Sequence, residues 1–154
     1  MKIKLLATDV DGTLTDGGLY IDAQGNETKK FNVKDGLGLR AFIEAGGVVA
    51  VVSGRYSLAT ERRAKDLGLV ILQNGPGNKL AALKAYCDQQ GISPQEVAYI
   101  GDDINDLECA TWAGFSAAVA DAHPWLIEVV DWVSPYRGGE GAVRALTDYL
   151  LTKE

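Results

Sequence analysis

Five short apolar runs, each followed by a helical stretch, limit what this chain can become. Ile3–Val10, Val48–Val52, Val70–Gln73, Val97–Gly101 and Phe115–Val119 are rich in β-branched residues and read as strands. Between and after them, Leu37–Ala45, Leu58–Leu67, Lys79–Gln90, Ile104–Ala113 and Gly141–Leu151 read as helices. Short connections between alternating elements predict an α/β fold, a Rossmann-like doubly wound parallel sheet with helices on both faces. The runs are continuously apolar rather than alternating, as strands buried on both faces require. One segment breaks the rhythm: Gly18–Phe31 reads as a β-hairpin with a polar turn, Ala23-Gln24-Gly25-Asn26. It is the flap of an otherwise capless single domain spanning residues 1–154.

Composition narrows the function classes. A net charge of −6 disfavours nucleic acid as the main partner, because phosphate backbones attract basic surfaces. No apolar run approaches the roughly 18 residues needed to span a bilayer. Cys87 and Cys109 have no metal-ligand spacing and read as free thiols, so a cytoplasmic protein is expected.

The chemistry is concentrated where predicted strands end, the edge at which open α/β sheets bind ligands. Asp9 and Asp11 close the first run, and two bare carboxylates are too costly to bury without a cation or substrate. Parity along an extended strand puts both on one face. Ser53-Gly54-Arg55 follows the second run, Lys79 follows the third across Gly75-Pro76-Gly77-Asn78, and Asp102, Asp103 and Asp106 follow the fourth. Carboxylates from two strands, one hydroxyl and one lysine make up a Mg²⁺-dependent phosphoryl-transfer site.

The motifs D-x-D-G-T at Asp9–Thr13, Ser53, Lys79 and G-D-D-x-x-D at Gly101–Asp106 resemble those of the haloacid dehalogenase superfamily of phosphatases, in order and spacing, over nearly the whole chain. Phe31–Gly36, Glu61–Ala64, Val119–Pro124 and Gly138–Arg144 resemble its small capless branch acting on phosphorylated 3-deoxy sugar acids. The resemblance implies Asp9 as the phosphorylated nucleophile and Asp11 as the acid–base. It implies Mg²⁺ held by Asp9, Asp102 and the Asp11 carbonyl, with Asp103 and Asp106 supporting the metal or orienting Lys79. Ser53 and Lys79 would bind the phosphoryl group. Substrate contacts carry over to Asp11, Asn32, Val33, Lys34, Asp35, Gly36, Arg40, Arg55, Arg63 and Lys79. It also implies a homotetramer whose neighbours cover each site.

Three positions depart from the pattern. Thr13 replaces an aliphatic residue, Lys34 an arginine, and Ser53 a threonine. A phosphatase for a nine-carbon sugar acid, a mutase and a non-catalytic binding module on the same fold are the competing readings. His123, before Pro124, reads as a cap or turn residue.

Overall fold

The computed structural model describes residues 2–153. The chain forms β1 (Leu5–Thr8), a hairpin of β2 (Tyr20–Ile21) and β3 (Glu27–Thr28), α1 (Val33–Glu44), β4 (Val48–Ser53), α2 (Leu58–Leu67) and β5 (Val70–Asn74). There follow α3 (Lys79–Gln90), β6 (Val97–Gly101), α4 (Leu107–Trp112), β7 (Phe115–Ala118), α5 (Pro124–Val129), β8 (Trp132–Val133) and α6 (Ala142–Thr152). Six strands pair in the order β5-β4-β1-β6-β7-β8, every pairing parallel. The expected fold class is therefore the observed one.

The order of connection creates the site. From β1 the chain steps outward through β4 to β5. It then crosses back and builds β6, β7 and β8 on the other side. This reversal leaves a crevice beyond the carboxyl end of β1, between β4 and β6. Leu5, Leu6, Ala7, Val97, Ala98, Tyr99 and Ile100 have no exposed surface. Each large side chain buried there contributes about 1.5–3 kcal/mol. The central strands that carry the site are thus its most firmly packed support.

Several boundaries differ from expectation. β1 stops at Thr8 because the Val10 carbonyl accepts from Thr13, Leu14 and Thr15 N–H groups at 2.9–3.2 Å, turning the chain out of the ladder. Strand parity therefore does not govern Asp9 and Asp11. α1 begins at Val33 rather than Leu37, capped by Asn32 Oδ1, which accepts from Lys34 N at 2.8 Å. Gly36 and Gly38 hide this helix, because glycine lowers helix propensity by about 1 kcal/mol. Gly38 is the close approach to α6: a Cβ there would lie 2.3 Å from Thr147 Oγ1. The expected helix Ile104–Ala113 divides into a 3₁₀ turn, Ile104–Asp106, and α4. α5 and β8 lie outside the elements that the sequence pattern predicts. They span six and two residues, too few to show a period. His123 does cap α5, its Nδ1 accepting from Trp125 N at 3.1 Å.

Candidate active site

Asp9 follows β1 and is 5% exposed. Its N–H still bonds Ile100 O at 3.1 Å, so the strand's register fixes its backbone. Lys79 Nζ donates to Asp9 Oδ1 at 2.8 Å, and Thr13 Oγ1 donates to Asp9 Oδ2 at 3.1 Å. Both carboxylate oxygens are thereby oriented.

Lys79 opens α3 beyond its cap Asn78 and also donates to Asp106 Oδ1 at 2.9 Å. Burial works against its charge, but Asp9 and Asp106 outweigh that and hold its pKa above the ordinary value. Asp106 is fully buried. Beside Lys79 it accepts from the Tyr99 hydroxyl, from Asp102 N at 2.8 Å and from Asp103 N at 3.2 Å. With its oxygens so engaged, Asp106 is a support for Lys79.

Asp102 lies across from Asp9. Asp9, Asp102 and Asp106 each offer an oxygen within 4.8 Å of the others. Burial and the Asp9 charge raise the pKa of Asp102; burial and the Asp106 charge raise that of Asp9. Two carboxylates this close, one buried and one partly enclosed, must share a proton or a cation. Their all-oxygen chemistry fits a hard divalent ion. Gly12 makes the approach feasible: its φ is +85°, and a Cβ there would sit 1.9 Å from Asp102 Oδ2. A side chain at position 12 would fill the space that Asp102 occupies.

Asp11 points elsewhere, to the ammonium of Lys29 on the hairpin. The hairpin is closed by Asp22, whose Oδ1 accepts from Gln24 N and Asn26 N, both at 2.9 Å. On its inner side Glu27 pairs with Arg55, which keeps the Glu27 carboxyl below its ordinary pKa.

Asp9, Asp11, Gly17, Ser53, Gly54, Arg55, Asp102, Asp103 and Asn105 line a cleft of about 420 Å³, ample for a phosphorylated sugar. Lys79 and Asp106 stand behind Asp9 rather than on this wall. Asp103 caps the 3₁₀ turn through Ile104 N at 2.7 Å.

The other expected substrate contacts are not brought to this cleft within one chain. Arg40 Nη1 bonds the Leu67 carbonyl at 2.9 Å. Arg63 lies over the Phe31 ring, 5.8 Å from its centroid. Asp35 is buried and accepts from Arg144 N at 2.9 Å, serving the start of α6. Asn32 Nδ2 holds the Gly139 carbonyl at 3.1 Å. Val33 and Lys34 are exposed on α1, and Gly36 packs against Arg63. Thr13, Lys29, Tyr99 and Asn105 are site residues that sequence reasoning missed. Only Thr13 carried a signal, as the departure within its motif.

This crevice, with an oriented aspartate, a lysine behind it and a second aspartate two residues on, belongs to a phosphoryl-transfer hydrolase. A family model for haloacid dehalogenase-like hydrolases matches residues 72–146. The chain belongs to that family. It is 45% identical to 3-deoxy-D-manno-octulosonate 8-phosphate phosphatase KdsC of Salmonella typhi, over 97% of this chain and 80% of the relative. Among solved structures, the 3-deoxy-D-manno-octulosonate 8-phosphate phosphatase of Moraxella catarrhalis, complexed with magnesium, phosphate and KDO, is 42% identical. Its TM-score is 0.95, with 99% of this chain and 87% of that one covered. The cobalt-bound deoxy-D-mannose-octulosonate 8-phosphate phosphatase of Haemophilus influenzae is 43% identical with a TM-score of 0.93, covering 98% and 88%.

Proposed function

We propose that residues 1–154 act as one phosphatase domain that hydrolyses 3-deoxy-D-manno-octulosonate 8-phosphate to the free sugar acid and phosphate. The observation that carries the reading is the Asp9 carboxylate, held by Lys79 and Thr13 at the floor of an acidic cleft that Asp11 overlooks. Kinship with phosphatases of that specificity across nearly the whole chain supports the substrate.

Asp9 attacks phosphorus and becomes an aspartyl phosphate. Asp11 protonates the departing sugar oxygen, then takes a proton from the water that releases phosphate. Ser53 and Arg55 border the cleft where phosphoryl oxygens would lie, and Lys79 supplies positive charge from behind. Asp9, Asp102 and the Asp11 carbonyl would hold Mg²⁺, which neutralises charge on the phosphoryl group. Asp103 and Asp106 support that shell, Asp106 by fixing Lys79.

We also propose a homotetramer in which Lys34, Arg40 and Arg63 serve a neighbour's cleft. Arg40 and Arg63 lie where α1 meets α2, Arg40 on the Leu67 carbonyl and Arg63 against Gly36. Close by, Val33 is 73% and Leu37 64% exposed, and the hairpin shows Leu19, Tyr20 and Ile21 at 51%, 46% and 60%. Such an apolar group gains from cover. No helix among the described residues is long and apolar enough to cross a membrane. The free thiols of Cys87 and Cys109 support a reducing, cytoplasmic setting.

The test is phosphate release from the eight-carbon substrate, from a nine-carbon sugar-acid phosphate and from an aryl phosphate, with and without Mg²⁺. Wild type should prefer the first and need the metal, and Asp9→Asn should be inactive. Equal rates for wild type and Asp9→Asn would remove Asp9 as nucleophile. Equal weak rates on all three esters would remove the substrate assignment.

A further inference from the structure

Lys29 lies just past β3, yet its side chain is only 1% exposed. Its ammonium donates to Asp11 Oδ1 and stands 3.4 Å from Glu27 Oε2. Glu27 in turn receives Arg55 Nη1 on Oε2 at 3.1 Å and Nη2 on Oε1. An unbroken chain of charges, Asp11–Lys29–Glu27–Arg55, thus links the loop after β1 to the end of β4 through the hairpin. Enclosing an ammonium costs several kcal/mol before its partners repay it, and apolar residues of similar volume often stabilise equally well. Stability alone therefore does not call for a lysine here. What an apolar side chain could not do is grip one oxygen of Asp11.

We propose that Lys29 is a positioning residue for the acid–base step, and that the hairpin exists in part to deliver it. The proposal rests on the assignment of Asp11 above. With Oδ1 held by Lys29, Oδ2 is the oxygen left to carry the proton. As an Asp9 oxygen bonds to phosphorus, the ester P–O bond breaks and its electron pair stays on the sugar oxygen. That oxygen takes the proton from Asp11 Oδ2. In the return step water attacks phosphorus, its proton passes to Oδ2, and the bond from phosphorus to Asp9 breaks. Lys29 gains and loses no proton; it fixes the carboxyl's rotation. This makes the hairpin a working part of its own chain's site, whatever else covers it.

Leaving-group dependence separates this role from a structural one. The full-length protein with Mg²⁺ is assayed on 4-nitrophenyl phosphate, whose leaving group needs little acid help, and on the 8-phosphate of the sugar acid, whose alkoxide needs it. Lys29→Met and Lys29→Leu should lower kcat/KM on the sugar ester about 30-fold or more, within the range of acid–base catalysis, but under about 3-fold on the aryl ester. Lys29→Arg should recover most of the loss. Lys29→Met added to Asp11→Asn should slow that variant no further. Equal losses on both esters, no loss, additivity with Asp11→Asn, or failure of both apolar variants to fold would each overturn the proposal. Failure of the underlying reading looks different: wild type then cleaves neither ester, or Asp11→Asn leaves the sugar ester's rate intact.

Discussion

Gly138 tests whether the loop carrying the two aspartates is braced from behind. A Cβ on Gly138 would lie 1.8 Å from the Gly12 carbonyl oxygen, 2.6 Å from its carbon and 3.1 Å from Thr15 O. All three are backbone atoms, so no side chain can swing clear. Ordinary non-bonded separation is roughly 3.5 Å, so about 1.7 Å must open between the two segments. The tail is tied in place: Gly138 N donates to Asp121 Oδ1 at 3.0 Å and Gly139 N to Thr13 O at 3.1 Å. Gly12 is itself pressed against Asp102. The displacement therefore passes into Asp11 and Asp9.

Overpacking costs about 1–3 kcal/mol, and a shift near 1 Å at reacting groups costs roughly 100-fold in rate. Gly138→Ala should thus lose about 1–3 kcal/mol in urea unfolding and about 30- to 100-fold in kcat. Gly114→Ala is the control. Its Cβ would meet Gln95 Cα at 2.6 Å and Pro94 O at 2.8 Å, a comparable clash where β6 and β7 begin, at the opposite edge of the sheet. It should lose similar stability and keep kcat within about threefold, because nothing there touches the reacting groups. If Gly138→Ala is destabilised yet fully active, or both variants lose activity alike, the bracing of the loop by the tail is wrong.

Tyr99→Phe should cost about 1.5–3 kcal/mol by urea unfolding, since it removes a buried hydrogen bond to a charged group. Its kcat should fall about tenfold, the low end for a lost supporting contact, because Asp106 still holds Lys79, Asp102 N and Asp103 N; loss as deep as that of Asp9→Asn would make Tyr99 part of the chemistry. If Arg63 serves a neighbour's cleft, Arg63→Ala and Asp9→Asn, each impaired alone on the sugar ester, should regain activity when mixed under subunit exchange. No recovery in demonstrably mixed oligomers counts against the shared site. Glu96 accepts from Lys4 and Ser93, which lower its pKa from 4.5 to about 2. Because the folded value is the lower one, this contribution is complete above pH 4.5 and fades as pH falls toward about 2. Wild type should exceed Glu96→Gln in urea midpoint at neutral pH, and the gap should close across that interval. A gap independent of pH would refute the ion pair's part.

The legible portion of the site is the part attached to strand ends. Asp9, Ser53, Lys79 and Asp102 each sit where a short apolar run gives way to a polar turn, so their convergence follows from topology once the sheet is recognised. The illegible portion depends on which way a side chain turns in an irregular segment. Lys29 and Lys30 are neighbours of one residue type, and composition treats them alike. In the fold Lys29 is enclosed against Asp11 while Lys30 is exposed. Only the docking of the hairpin on the cleft separates them.

The same limit explains α1. Asn32 and Asp35 look like loop ligands in the sequence. In the structure Asn32 caps α1 and holds the Gly139 carbonyl, and Asp35 serves the start of α6. Both support the tail that braces Gly12, so a substitution at either would alter turnover without any contact with substrate. A loss of activity at Asn32 or Asp35 therefore identifies a substrate contact only if KM rises while the urea midpoint stays unchanged. Arg40 and Arg63, which hold no part of that tail, are the cleaner positions at which to look for recognition of the sugar acid.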